Sequence, residues 1–121
     1  EFKSVATAIG VNSLSVRDWL NSRYGLPQST IYEMIKFNPT YKELLAPTTI
    51  NHRYVCDDIP TGLVPMSSFG KNLGIPTPTI DYFIEEGSKL LNIDFRSEGR
   101  TLQKLGLSPD NLISDLMEYS R

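Results

Sequence analysis

The stretch TPTIDYFIEEGSKLLN, residues 77–92, decides the fold class. Thr77 can cap free N–H groups at a helix start, and Pro78 fits the first turn, where its missing N–H costs nothing. Ile80, Phe83, Ile84, Leu90 and Leu91 follow at helical spacing, so one face of this helix is expected to be buried.

The same period recurs outward in both directions. SPDNLISDLMEYS, residues 108–120, repeats the opening with Ser108 and Pro109 and directs Leu112, Ile113, Leu116 and Met117 inward. IPTGLVPMSSFGKNLG, residues 59–74, carries Leu63, Met66, Phe69 and Leu73 at helical spacing. Gly62 and Pro65 weaken its regularity, and the helix is expected to start near Pro60. Phe2, Val5, Ala6 and Ile9 form a first helix stopped by Gly10. Ser15 opens a second, with Asp18 in a capping-box-like role, Trp19 and Leu20 inward, and Gly25 and Pro27 at its end. Ser29 opens a third through Ile31, Met34 and Ile35. Pro39 and Thr40 begin a short fourth with Tyr41, Leu44 and Leu45, closed by Pro47. In GRTLQKLGL, residues 99–107, a turn leads into a short docking helix with Leu102 and Leu105 inward. Alternating patterns are nearly absent, so the expected fold is all-α, a compact domain of about six to seven helices.

The bulk composition narrows the function classes. With 121 residues, 40% hydrophobic and 21% charged, the chain suits one globular domain spanning 1–121, large enough to need no metal or disulfide staple. A net charge of −2 offers no general attraction to nucleic acid or anionic lipid. No apolar run reaches the roughly 20 residues that span a bilayer, and the amino end lacks a signal-peptide layout. A single cysteine, Cys56, fits a reducing, cytoplasmic setting and excludes an internal disulfide or a cysteine zinc site. The start at Glu1, without methionine, suggests a portion of a longer protein. Gly62, Gly70 and Gly74 lack both the spacing and the preceding strand of a phosphate-binding loop.

Residues 51–60, NHRYVCDDIP, hold the only histidine and the only cysteine together with an arginine and two aspartates. Such density suggests a substrate site. The plainer reading of Arg53 and Asp58 is an ion pair or cap network pinning a loop. His52 is expected at a solvated or core-edge position rather than in catalysis. Asp57 is expected to face solvent or cap the helix entering at Pro60, Cys56 to fill space, and Tyr54 either to line a cleft or to pack.

HRYVCDDIPTGLVP at 52–65, GIPTPTID at 74–81 and DFRSEGRTLQKLGL at 94–107 occur in an order that resembles the carboxy-terminal helical domain of the octopine/nopaline (opine) dehydrogenase family. The resemblance runs from the helix around Trp19 to Leu107. It implies an enzyme that condenses the amine of an amino acid with a 2-oxo acid such as pyruvate and reduces the imine with NADH or NADPH. By the same comparison, an amino-terminal Rossmann domain, absent from this chain, binds the NAD or NADP, and the helical domain closes over it. Arg53 matches the arginine that holds the amino-acid carboxylate. Asp58 matches the aspartate that pairs with a catalytic histidine lying upstream, outside this chain, so His52 is not that histidine and the chain alone is expected to be inactive. Homodimerisation stays open. Two other readings stand beside this one: a helical interaction or dimerisation module without chemistry, and a related NAD-dependent dehydrogenase acting on a simple hydroxy acid.

Overall fold

The computed structural model describes residues 1–27 and 29–119, and those residues contain helices and turns and no strand. In chain order they form α1 (Phe2–Ala8), α2 (Val16–Tyr24), α3 (Ile31–Lys36), a 3₁₀ turn (Pro39–Tyr41), α4 (Arg53–Cys56), a π turn (Ile59–Leu63), α5 (Val64–Leu73), α6 (Pro78–Leu91), α7 (Phe95–Glu98) and α8 (Leu112–Tyr119). Because α4, the π turn and α5 run on as one helical segment, the described residues make seven helical bodies, in line with the expected all-α fold. Ser120, the end of the stretch quoted above, lies outside them.

Two apolar clusters hold the domain. Ile59, Val64, Ile80, Ile84 and Phe95 form the first, with Val55, Leu63, Met66, Leu91 and Ile93 around it. Leu102, Leu107 and Leu112 form the second, with Phe69, Leu73 and Leu116. α6 therefore lies across the π turn and α5, while α7 closes over the same junction.

Local chemistry sets most boundaries as expected. Ser15 accepts the Asp18 N–H at 3.1 Å, and Gly25 ends α2 in the left-handed region at φ 63°. The third helix is capped one residue later than expected, by Thr30. Thr30 and Glu33 form a reciprocal capping box, and Ser29 donates to the same carboxylate. The fourth helix is only the 3₁₀ turn. Nothing after Tyr41 continues it, and Leu44 and Leu45 are exposed. Thr77 makes no capping bond; the Glu1 carboxylate instead accepts the N–H groups of Thr79 at 2.8 Å and Ile80 at 2.9 Å.

The helix expected at Pro60 begins seven residues earlier, at Arg53. Pro60 can continue a helix that already exists because the π turn absorbs the misfit. Helical periodicity shows why the extra residue is needed. Val55 and Ile59 are four apart and share a face, but Val64 is five beyond Ile59, which in an α-helix is a rotation of about 140° off that face. A π turn widens the repeat so that Ile59 and Val64 both reach the core. The Val64 N–H accordingly reaches Ile59 O. The Pro60 carbonyl is thereby left without a donor in its own helix, since Val64 has turned away and Pro65 has no N–H. Arg100 supplies one across the domain, its N–H lying 2.8 Å from Pro60 O. Beside it, Gly99 lies so close that a Cβ would stand 2.7 Å from Val64 Cβ, Val64 Cγ1 and Phe95 O.

Several side chains expected inward are not. Trp19 is 44% exposed, Phe83 55% and Leu90 63%, while Ile113, Met117 and Leu105 are also exposed. Phe83 lines a broad apolar groove with Phe2, Leu14, Val16, Leu63 and Met66, enclosing about 1180 Å³. Trp19 lines a smaller hollow beside Leu14 and Val16. Periodicity identified apolar faces correctly, but these faces have no covering layer among the described residues.

Candidate functional site

The cluster at residues 51–58 is built as the entrance to α4. His52 is the N-cap, in extended conformation, and its Nδ1 accepts the Tyr54 N–H at 3.3 Å. That bond requires an unprotonated Nδ1, so the histidine serves as a cap and its ring rests edge-on against Tyr54 at 4.5 Å. Cys56 Sγ donates to Asn51 Oδ1 at 3.2 Å, tying the first turn back to the loop before it. Cys56 is partly exposed rather than a buried filler. These contacts explain four of the residues as architecture.

Arg53 and Asp58 are different. Arg53 Nε stands 3.9 Å from Asp57 Oδ2, beyond hydrogen-bonding distance, and the two side chains are 75% and 64% exposed. Such a pair contributes little to stability. It leaves the terminal nitrogens of the guanidinium without a partner among the described residues, a planar fork suited to a carboxylate. Asp57 faces solvent, as expected, and is the loose partner of Arg53; its backbone closes α4, and its carbonyl accepts the Thr61 N–H and hydroxyl. Asp58 is exposed, sits in helical conformation immediately before the π turn, and its carboxylate has no partner among the described residues. Five positions separate Arg53 and Asp58, about 7.5 Å along the helix and about 140° around it. They therefore address different groups rather than each other. Tyr54 is 58% exposed beside them. Arg53, Tyr54 and Asp58 do not line the apolar groove.

One polar centre escaped the sequence reading although its residues lie within the quoted motifs. Asp81 Oδ1 accepts from Ser67 Oγ at 2.6 Å and from Arg96 Nη2 at 2.8 Å, and Asp81 Oδ2 accepts from Thr77 Oγ1 at 3.2 Å. Arg96 also donates to Ser67 Oγ at 3.2 Å and stands 3.6 Å from Glu85. Partial burial pushes the Asp81 carboxyl up, but the hydrogen bonds from Ser67, Arg96 and Thr77, with the guanidinium charge, outweigh it and hold the group below the usual aspartate range. The centre joins α5, α6 and α7. An aspartate in a first helical turn reads in sequence as a dipole partner, and nothing local marks an arginine fifteen residues on as its mate.

Gly62, Gly70 and Gly74 are placed by helix structure and packing. Gly70 is packed against Ile75 O and Thr77, Gly74 ends α5 in the left-handed region, and Gly62 lies within the π turn.

Comparison with known proteins identifies the family. Opine dehydrogenase from Arthrobacter sp. (strain 1C) is 45% identical over 105 residues, covering 87% of this chain and 29% of that protein. Protein ocs of Agrobacterium tumefaciens (strain Ach5) is 27% identical over 108 residues, covering 89% and 30%. Vitopine synthase of Allorhizobium ampelinum (strain ATCC BAA-846 / DSM 112012 / S4) is 26% identical over 107 residues, covering 88% and 30%. The chain thus spans less than a third of the length of these relatives. The family described as NAD/NADP octopine/nopaline dehydrogenase, alpha-helical domain, matches residues 1–91, which include the first two quoted motifs and end before the third. The match begins well ahead of Trp19, where the sequence resemblance was first drawn. With three quarters of its residues matched and every described element helical, the chain belongs to the NAD/NADP octopine/nopaline dehydrogenase family as its alpha-helical domain.

Proposed function

We propose that this domain binds the amino-acid substrate of an opine dehydrogenase, an enzyme that condenses an amino acid with a 2-oxo acid and reduces the resulting imine at the expense of NADH or NADPH. The observation that carries the reading is the contrast within one short stretch, residues 51–58: His52, Asn51 and Cys56 are tied into architecture, while Arg53 and Asp58 project ionic groups with unused bonding capacity. Family membership supports it. The dinucleotide belongs to an amino-terminal domain outside this chain, and the protein is cytoplasmic in this reading.

Arg53 offers its guanidinium fork to the substrate carboxylate and so orients the amine. Asp58 accepts a hydrogen bond from a histidine supplied by the rest of the protein, fixing its tautomer and stabilising its charged form while protons move during addition and dehydration. The proximity of two held substrates contributes the largest share of the acceleration, for which about 7–11 kcal/mol is attainable.

The test is oxidation of NADH and NADPH by the intact protein carrying this domain, with pyruvate and a panel of amino acids, beside Asp58→Asn. Oxidation should require both substrates, and the variant should lose up to about 10⁴-fold in kcat while melting like the wild type. Turnover with the 2-oxo acid alone would instead indicate a hydroxy-acid dehydrogenase.

The apolar groove lined by Phe2, Leu14, Val16 and Phe83 favours a second reading, a helical interaction or dimerisation module. Under that reading Asp58→Asn and Arg53→Lys leave function unchanged, and absence of amino-acid-dependent oxidation would select it.

A further inference from the structure

The catalytic reading uses Arg53 and Asp58 but leaves the third motif, DFRSEGRTLQKLGL, without a task. The structure connects the two. Asp58 immediately precedes the π turn, and the phase of that turn determines the direction in which the residues before it project. A π turn is less regular than the α-helix on either side and is held here by contacts from outside the helix. Pro60, its second residue, has a carbonyl with no helical donor, and the Arg100 N–H binds it at 2.8 Å. Gly99 packs against Val64 at the other end of the turn. The segment Gly99–Arg100 therefore straps both ends of the irregular turn, while the Arg100 side chain is exposed.

We propose that Gly99 and the backbone N–H of Arg100 are positioning elements for Asp58: they hold the π turn in the one phase that aims the Asp58 carboxylate at its partner. The inference rests on the proposed role of Asp58. It assigns to the third motif a function in turnover that acts through the backbone and not through its charged side chains.

The local geometry shows how the strap can be displaced. Thr101 N–H donates to Gly99 O at 3.1 Å, a three-residue turn centred on Arg100. Among the described residues, Asn92 alone of the non-glycine residues has positive φ, so Arg100 takes the inverse form of that turn, whose characteristic φ of about −75° is one proline accepts. Gly99, at φ −69° and ψ 170°, already has the extended conformation required before a proline. Arg100→Pro thus suits the φ of the turn but replaces the N–H with Cδ, which would fall inside van der Waals contact of Pro60 O and push the strap off the π turn, whereas Arg100→Ala removes the side chain and keeps the N–H.

Four variants of the intact protein are compared in steady-state kinetics: Arg100→Ala, Arg100→Pro, Asp58→Asn, and Asp58→Asn with Arg100→Pro. Arg100→Ala is expected to match wild type. Arg100→Pro is expected to lose on the order of 10²-fold in kcat, the effect of displacing a reacting group by about 1 Å. The double variant should be no slower than Asp58→Asn alone, because a residue acting through Asp58 has nothing to position once the carboxylate is gone. Equal kcat in Arg100→Pro and Arg100→Ala would overturn the inference. So would losses that multiply in the double variant, which would leave the catalytic role of Asp58 standing. An unaffected Asp58→Asn would remove the proposed function and this inference together. If Arg100→Pro does not fold, Gly99→Ala, which shifts the same strap and keeps the N–H, replaces it in the same cycle with the same expected outcomes.

Discussion

A single methyl group at Gly99 should destabilise the domain by about 1–2 kcal/mol. The added Cβ would lie 2.7 Å from Val64 Cβ, Val64 Cγ1 and Phe95 O. Favourable carbon contacts lie at roughly 3.5–4.0 Å, so three atoms must retreat, and two of them, a helix Cβ and a carbonyl oxygen, belong to the rigid frame. Overpacking of this kind costs about 1–3 kcal/mol. Because φ −69° and ψ 170° are open to alanine, no backbone strain is added. Reduced freedom in the unfolded chain returns about 0.4–1 kcal/mol. For a domain of this size the net loss corresponds to a fall in melting temperature of about 4–8 °C. Urea unfolding with an unchanged m-value is the assay. Gly87→Ala is the comparator, since its Cβ would meet the end of the Ile59 side chain, which can turn aside. Adding Val64→Ala to Gly99→Ala removes Cγ1, and the pair should lose less than the sum of the single changes. A Gly99→Ala protein as stable as wild type, or less affected than Gly87→Ala, would refute the close packing of the strap.

Other outcomes follow from the site and its supports. Arg53→Lys keeps the charge but loses the fork, and should raise the KM for the amino acid about 10- to 100-fold with a smaller effect on kcat, read in initial-rate kinetics. His52→Ala removes a cap rather than a catalyst, so it should lower stability by about 1 kcal/mol or less in urea unfolding and leave kcat within a small factor of wild type. The Asp81 carboxyl has a folded-state pKa below its unfolded one, so its stabilising contribution is present above the ordinary aspartate value and is lost as pH falls through the folded value. Asp81→Asn should accordingly lower the urea midpoint near neutral pH and flatten its dependence on pH below about 4.

The sequence carried the fold class because helix period and cap chemistry are local. Ser15 with Gly25, and Pro78 in a first turn, are readable from a few residues, and each is realised in the structure. What escaped depends on partners distant in sequence. The start at Arg53 was hidden because Pro60 looks like a first-turn proline, whereas the helix runs through it with a π turn whose free Pro60 carbonyl is met by the Arg100 N–H. Trp19 and Phe83 belong to real apolar faces, yet a face reports its composition and not whether anything lies over it. At the site, Arg53 and Asp58 were singled out through the resemblance of their surroundings. Their separation into two differently directed groups, with Asp57 as the loose neighbour of Arg53, required coordinates. Asp81 and Arg96 were invisible as a pair for the same reason.

The carboxylate of Glu1 has a wider consequence for how the domain assembles. Desolvation pulls its pKa up, but the N–H groups of Ile80 and Thr79 prevail, so it stays below the usual glutamate range and remains charged as a cap. The bond to Thr79 joins residues 78 apart in sequence. Closing a loop of that length costs only slightly more than closing a shorter one, but it cannot happen until the intervening helices have folded back. During synthesis the cap emerges before the helix that needs it. Slow hydrogen exchange at Thr79 and Ile80 would therefore report the meeting of the first and sixth helices, making these two amides a clock for completion of the fold.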